Sequence, residues 1–270
     1  MFPTAQSCYR FILTLASCAA FASGCSKSDS SAVTVAASAS ALASSTAPAS
    51  AMVVKYTIAP DGKTSIDMPA PNEHIKAGTT VSDGSLDVDL KNIANTRGTV
   101  KVDLSSLTTT TFDDAKKNSG QTEHAHNWLE IGSLVTPDVM AANKYIVFAL
   151  RTIDGTSAPD VTAVAPTKEG GEDIRTVTFM AHGEILLHGH KSNKDVSLEA
   201  KFHYPAGAAA DSKPTKIEIA TKAPLHIVLA EHDVKPRDNF GKLATASFNL
   251  LGTKVADAAD IMVMLTATPQ

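Results

Sequence analysis

The segment at residues 183–202, GEILLHGHKSNKDVSLEAKF, constrains the fold more than any other part of the chain. Apolar and polar residues alternate in both of its halves, and the apolar positions are Ile185, Leu187, Val196, Leu198, Ala200 and Phe202. A helix would scatter these side chains around its circumference, whereas a strand places them on one face. The polar run at residues 191–195 interrupts the alternation and predicts a turn. The segment therefore predicts an antiparallel hairpin within a sheet that buries one face.

Short alternating runs of the same kind recur along the chain, at residues 54–58, 86–90, 98–104, 177–179, 217–219, 225–229, 248–250 and 261–265. Residues 145–150 are apolar on both faces, as in a strand that is covered on each side. The pattern predicts eight to ten short strands and almost no helix, with a single helical turn at residues 113–117. Residues 155–173 and 206–214 are rich in Gly, Pro, Ala or acidic residues and are expected to be long exposed loops. Strands at this spacing favour an up-and-down barrel or a sandwich.

Charge and cysteine content exclude several classes of function. The net charge is −4 and no long basic run occurs in the sequence, which argues against nucleic acid as a partner. The three cysteines are Cys8, Cys18 and Cys25, so the rest of the chain has none for a disulfide or a thiolate metal site. The sequence also lacks a G-x-S-x-G elbow, a phosphate-binding glycine loop and a C-x-x-C pair. We therefore expect no enzyme and no cofactor.

The first 25 residues are predicted to be a bacterial lipoprotein signal. Arg10 precedes an apolar run at residues 11–22 that is too short to span a bilayer. The run ends in Ala22-Ser-Gly-Cys25, which resembles a lipobox and makes Cys25 the candidate lipidation site. The alternative is an ordinary secretory signal in which Cys25 is incidental. By resemblance to sorted lipoproteins, Ser26 favours the outer membrane over retention in the inner membrane.

The sequence after the signal divides into a tether and a domain. Residues 26–52 are almost entirely Ala, Ser and Thr, a composition that cannot bury enough apolar surface to offset chain entropy. They are predicted to be a disordered tether, and residues 53–270 are predicted to form the folded domain. The expected location is the cell envelope, on the periplasmic side or at the outer membrane, where an N-terminal acyl anchor would attach the protein to the membrane.

Four segments resemble motifs of the YceI-like family and occur in the same order. The first two are VKYTI at residues 54–58 and GTVKVDLSSL at residues 98–107. The third combines DV at 138–139, KY at 144–145 and Phe148, and the fourth combines GEILLHG at 183–189 with VSL at 196–198. Two differences are that Ile146 stands where the family has Pro and that residues 190–194 replace its V-T-K-P turn. The resemblance implies an all-β fold, a lipocalin-like antiparallel up-and-down β-barrel of about eight strands. It also implies that the lumen binds a hydrophobic lipid of the polyisoprenoid type.

The apolar faces of the predicted strands supply the candidate lumen residues. They are Val100, Val102, Leu104, Ile185, Leu187, Val196, Leu198, Ile217, Ile219, Ile227 and Val263. A barrel of eight strands has room for one small ligand or for side chains alone. Because both arrangements share one alternation pattern, the sequence leaves open a ligand-free structural envelope protein with a filled core. Homodimerisation is left open as well.

Two H-x-H pairs suggest a metal-binding alternative. They are His124 with His126 and His188 with His190. On a strand, residues two apart share a face, which would bring the two imidazoles of each pair together. A zinc site needs three or four converging ligands, and the spacing supplies two at a time. Exposed histidines without a metal are the simpler interpretation.

Overall fold

The computed structural model describes residues 52–69, 74–236 and 256–270. The predicted signal with Cys25, nearly all of the predicted tether and the strand predicted at residues 248–250 lie outside the described residues. Within them the strands are β1 (Val53–Ile58), β2 (Lys63–Pro69), β3 (His74–Thr79), β4 (Ser82–Asp89), β5 (Arg97–Asp103), β6 (Thr108–Thr109), β7 (Tyr145–Asp154), β8 (Thr167–Glu169), β9 (Glu172–Leu187), β10 (His190–Pro205), β11 (Lys216–Thr221), β12 (Leu225–Val228) and β13 (Ala258–Pro269). The helices are α1 (Ala115–Trp128) and α2 (Pro137–Asn143).

Eight of these strands form a closed antiparallel ring. Each of β1, β4, β5, β7, β9, β10, β11 and β13 pairs with the next in chain order. The ring closes where β13 returns to β1, with Tyr56 opposite Pro269 and Ile58 opposite Ala267. Neighbours in sequence are thus neighbours in space, which is the connectivity of an up-and-down barrel. The predicted fold class is confirmed.

Four strands of the ring are interrupted, and each continues in the same direction of the sheet as a separate short strand. β2 follows β1 along the same edge of β13, and β12 follows β11 along its other edge. β3 and β6 extend β4 and β5 in the same manner, pairing with β2 and with each other. The break after β1 is bridged by Ser82, whose hydroxyl donates to the Ala59 carbonyl at 2.7 Å and accepts from the Gly62 N–H at 3.2 Å. The ring therefore continues past the breaks and encloses a long interior.

The turn of the central hairpin lies at His188–Gly189, so the turn predicted at residues 191–195 is wrong. Leu187 pairs directly with His190, and the two residues between them have φ values of 51° and 76°. Two successive positive φ angles are the mark of a type I′ turn, whose twist matches that of the flanking strands. Residues 191–195 belong to β10, where exposed and half-buried side chains alternate.

Helix is more extensive than predicted. The single turn expected at residues 113–117 is instead α1, a helix of 14 residues. The Asp114 carboxylate caps it, accepting from the backbone N–H of Lys116 at 2.8 Å and of Lys117 at 3.2 Å. The helix is predominantly polar and shows little apolar periodicity in sequence, but Ala125 and Trp128 pack against the core. Tertiary packing and the cap, rather than a periodic pattern, support this helix.

The segment predicted to be a long exposed loop at residues 155–173 is partly buried. Val161 is fully buried, and its N–H donates to the Leu90 carbonyl at 2.9 Å. Ile93 is held nearby, because its N–H donates to the Pro159 carbonyl at 2.9 Å. These residues close one end of the ring, which we call the loop end. The opposite end carries α1 and the His188–Gly189 turn, and we call it the helix end.

The interior holds two apolar clusters, one toward each end. The loop-end cluster includes Tyr56, Val161, Phe202 and Tyr204, and the helix-end cluster includes Leu104, Ile185, Leu187, Leu129 and Ile227. Val263 packs against both clusters. Among the residues that the structure describes, no helix is long and apolar enough to cross a membrane.

Candidate ligand-binding site

A main cavity of about 140 Å³ lies inside the ring. Its wall comes from the strands of the ring, from their continuations β2 and β12, and from Ile93 and Thr96. Among the described residues, the polar side chains in the lining are Thr64, Thr96 and Thr221. On β9 the lining runs from Phe179 to Ile185 and on β10 from Val196 to Phe202. Six strand residues span about 20 Å, so the cavity is long relative to its volume. An elongated apolar space suits a chain-like ligand better than a compact one.

A second cavity of about 70 Å³ lies at the helix end. It is lined by Ala125, Trp128 and Leu129 at the C-terminal end of α1, together with strand residues including Leu187 and Ile227. Ile146 and Ile261 line both cavities. The two spaces therefore adjoin along one interior, which we call the lumen.

Every predicted lumen residue lines one of the two cavities. The main cavity contains Val100, Val102, Ile185, Val196, Leu198, Ile217, Ile219 and Val263. The second cavity contains Leu104, Leu187 and Ile227. The alternation pattern therefore predicted the direction of these side chains, because period two fixes the face of a strand. Their role in binding a ligand stays a prediction.

The partial exposure of several inward-facing side chains bears on whether the lumen is filled. Val100, Phe148, Leu198, Ile219 and Val263 line the main cavity, yet they are only partly buried. In a close-packed interior such side chains would contact neighbours on all sides and lose nearly all exposure. The exposure that they keep faces the cavity, so side chains alone do not fill the interior.

A polar cluster that the sequence reasoning missed lies in the lumen register at the loop end. On β9 and β10, Arg175 is opposite Phe202 and Asp173 is opposite Tyr204, so all four side chains share the inward face. Tyr56 on β1 pairs with Leu86, which lines the main cavity. Extending the alternation of Phe179 and Val177 backwards to residues 175 and 173 would have indicated that charged side chains point inward here.

The loop-end polar cluster, defined as Tyr56, Asp173, Arg175 and Tyr204, is buried but only partly hydrogen-bonded. Arg175 donates from Nη1 to the Ala210 carbonyl at 2.7 Å, and its guanidinium carbon lies 4.5 Å from the centroid of the Tyr204 ring. Asp173 accepts at Oδ2 from the backbone N–H of residue 207 at 2.8 Å. The side chains of Tyr204 and Arg175 also share a hydrogen bond. The Tyr56 hydroxyl and Asp173 Oδ1 have no hydrogen-bond partner among the described residues.

Burial keeps both phenols protonated. Burial raises the pKa of Tyr56 far above its usual range, and the proximity of Tyr204 adds to the effect. Burial also raises the pKa of Tyr204, and the Arg175 guanidinium opposes the rise. Charged forms are disfavoured in an apolar interior, so each hydroxyl is a neutral hydrogen-bond donor at physiological pH.

Neither H-x-H pair has the geometry expected of it, because neither lies on a continuous strand. His124 and His126 are in α1, where residues two apart point about 200° apart around the axis. His188 and His190 lie at the type I′ turn, where the His188 side chain is 4% exposed and its Nε2 lies 2.8 Å from Glu130 Oε2. His190 is exposed. Among the described residues no group of three or more His, Cys, Asp or Glu side chains could hold a metal ion.

A serine and a histidine also meet at the helix end. Ser192 Oγ lies 3.2 Å from His232 Nε2, and His232 Nδ1 lies 3.3 Å from the His190 carbonyl oxygen. His232 is fully buried, and burial lowers its pKa. Neither side chain is among the residues that line the two cavities. The pair ties β10 to the 3₁₀ turn at Leu229–His232, so its contacts are structural.

Comparisons with known proteins find similar solved structures. No protein-family model and no curated protein sequence matches the chain. A polyisoprenoid-binding domain from Saccharophagus degradans, implicated in plant cell wall breakdown, is similar with a TM-score of 0.47 and 12% identity, covering 81% of this chain and all of that domain. BcnA of Burkholderia cenocepacia is similar with a TM-score of 0.45 and 14% identity, covering 77% of this chain and 96% of that one. Both scores are below 0.5, so neither similarity carries an argument about this chain.

Proposed function

We propose that this chain is a YceI-like protein of the bacterial envelope that binds a chain-shaped apolar lipid, of the polyisoprenoid type, in its lumen. The observation that carries the proposal is the elongated apolar cavity inside the closed ring. The order of the four sequence motifs supports the family. Sequestering an apolar chain from water requires no catalytic group, and the proposed role is therefore non-enzymatic.

The size of the lumen bears on the kind of lipid. An engineered apolar cavity of about 150 Å³ stays dry and takes up one benzene, so the main cavity at about 140 Å³ accepts about six carbons without rearrangement. Each buried methylene contributes about 0.8 kcal/mol, so a five-carbon unit contributes about 4 kcal/mol. Since association alone costs at least about 4 kcal/mol, one unit does not bind stably.

Stable binding therefore needs a longer chain that occupies both cavities. The lining provides the means, because Phe148, Leu198 and Ile219 are only partly buried where they line the main cavity, so a change of rotamer there can widen it. The expected signature is an affinity that increases with chain length over the first few isoprene units. A compact ligand would instead show a maximum at the shortest probe.

The envelope location is the second part of the proposal. It rests on the lipobox resemblance at Cys25 and on the Ala/Ser/Thr composition of residues 26–52. Stable anchoring needs at least two acyl chains, which a diacylated cysteine supplies. Metabolic labelling with a fatty acid, in the wild-type chain and in C25S, tests the anchor. Labelling that persists in C25S would refute acylation at this residue.

The first experiment on ligand binding uses the full chain purified from bacterial membranes. Native mass spectrometry and organic extraction of the same sample should show one apolar lipid per protein. The delipidated protein is then titrated with isoprenol, geraniol and farnesol, and affinity should increase in that order. A protein that carries no lipid and binds none of the three alcohols would refute lipid binding and favour a ligand-free envelope protein.

A further inference from the structure

Two residues line both cavities of the lumen. Ile146 on β7 and Ile261 on β13 contribute to the main cavity and to the second cavity, and no other described residue contributes to both. Three strands separate β7 from β13 in each direction around the ring, so these two strands lie on opposite walls. The two side chains therefore lie across the lumen from each other, where the main cavity meets the second cavity.

The neighbouring strands pass from one cavity to the other at the same level. Val102 pairs with Ile146 and lines the main cavity, whereas Leu104, two residues further along the chain, lines the second cavity. On the other side of β7, Ile185 lines the main cavity and Leu187 lines the second. The boundary is therefore one cross-section of the ring. We call it the neck and define it by Ile146 and Ile261.

The lumen narrows at the neck. Ile146 is 9% exposed and Ile261 is 5% exposed, so both side chains are closely surrounded. The next inward residues toward the loop end, Phe148 and Val263, line the main cavity and are only partly buried. Since the exposure that they keep faces the cavity, more open space lies beside them than at the neck. Ile146 also stands where the YceI-like motif has Pro, so one wall of the neck departs from that motif.

We propose that Ile146 and Ile261 are the residues that determine the chain length for which the lumen is specific. They leave a passage for a slender chain, and only a chain that crosses the neck gains the contacts of both cavities. A short chain occupies one cavity without crossing it, so the apolar area buried beyond the neck is what separates a long ligand from a short one. This inference rests on the proposed function, since a neck selects only among ligands that enter the lumen.

The test closes the neck from either wall. I146F and I261F each place a larger aromatic side chain at the neck, and M264F is the matched control because Met264 is exposed on the outer face of β13. The delipidated full-length wild-type protein and the three variants are titrated with isoprenol, geraniol and farnesol. Thermal unfolding of each ligand-free protein checks folding, and the two neck variants are independent tests because they change opposite walls.

The wild-type protein and M264F should bind farnesol at least about tenfold more tightly than isoprenol. In I146F and I261F the affinity for isoprenol should change by about twofold or less, whereas farnesol should bind no more than about threefold more tightly than isoprenol. The increase of affinity with chain length should therefore be lost while the binding of a short chain is kept. A general loss of stability would instead weaken the binding of all three alcohols together.

Each contrary outcome has its own meaning. An increase of affinity with chain length that persists in both neck variants would refute the role of the neck and leave lipid binding intact. Equal loss of all three alcohols in folded I146F and I261F would also refute it, because the two residues would then control entry to the whole lumen rather than the length of the chain. Failure of the wild-type protein to bind any of the three alcohols would refute the proposed function itself.

Discussion

Filling the lumen with a larger side chain should abolish ligand binding without unfolding the protein. Val263 is the best position because it lines the main cavity, is only partly buried and packs against both apolar clusters. The V263F substitution directs an aromatic ring into the space. The next residue, Met264, is 58% exposed on the opposite face of β13. M264F is therefore a control that adds the same aromatic side chain to the same strand, on the face that points away from the lumen.

The expected change in stability follows from the cavity. Phenylalanine has four more carbons than valine, and burying them contributes about 3 kcal/mol at about 0.8 kcal/mol each. The whole cavity of about 140 Å³ sets a comparable limit of about 3.4 kcal/mol at about 24 cal/mol per Å³. Overpacking costs about 1–3 kcal/mol. The ligand-free V263F protein should therefore be between unchanged and about 2 kcal/mol more stable than wild type.

The assay is thermal unfolding with and without farnesol. At a ligand concentration of about 100 times Kd, binding stabilises the folded state by about 2.7 kcal/mol. For a domain of this size that raises Tm by about 5–11 °C. Wild type and M264F should show the rise, and V263F should not. A V263F protein that keeps the full rise would refute lumen binding, and one that loses several kcal/mol without ligand would show that the interior is already filled.

Three further predictions concern the fold. Hydrogen bonds to Asp195 and a second carboxylate raise the pKa of His182. The stability that protonated His182 contributes is therefore complete below the unfolded-state pKa of about 6.5 and is lost as pH rises through the folded-state pKa. In urea titrations H182Q should lower the free energy of unfolding more at about pH 5.5 than at about pH 9. D114A should cost about 1 kcal/mol and speed amide exchange in α1, whereas D114N should cost little. G183A should lower the free energy of unfolding by about 1–3 kcal/mol, because the new Cβ would clash with a cavity-lining phenylalanine ring and a backbone carbonyl. G120A in α1 is the control, since its Cβ would contact nothing, and it should leave stability unchanged or increase it.

The sequence predicted strand faces well because a strand's side-chain period is local. Val196, Leu198 and Phe202 needed only their own spacing to be assigned to one face, and the structure places all three in the cavity wall. Closure of the ring is not local. Periodicity alone was compatible with a sandwich as well as a barrel, and the barrel followed from the family resemblance. The pairing of β1 with β13 joins the two ends of the domain, and no short window of sequence contains it.

The errors in the sequence reasoning have identifiable physical causes. The turn was placed at the most polar residues, but the backbone turns where two positive φ angles are accepted, and His188 is one of three non-glycine residues with a positive φ among the described residues. The contact of 2.8 Å between His188 Nε2 and Glu130 Oε2 at this buried position helps to hold that conformation. α1 was underestimated because its stability comes from the Asp114 cap and from Trp128 packing on the core, neither of which produces a periodic pattern.

For the candidate site, the sequence predicts which side chains face the lumen but not whether space remains between them. Register fixes which way a side chain points, so the lining could be named from sequence residue by residue. Whether space remains between the facing walls depends on the circumference of the ring and the summed side-chain volume across it, and these belong to no single strand. One further feature can be recognised from local sequence, namely a polar residue such as Arg175 at a position where the strand alternation points inward. A charged residue that continues an inward alternation is costly to bury, so it marks the point where the apolar lining ends, and the Ala210 carbonyl and the Tyr204 side chain offset that cost for Arg175.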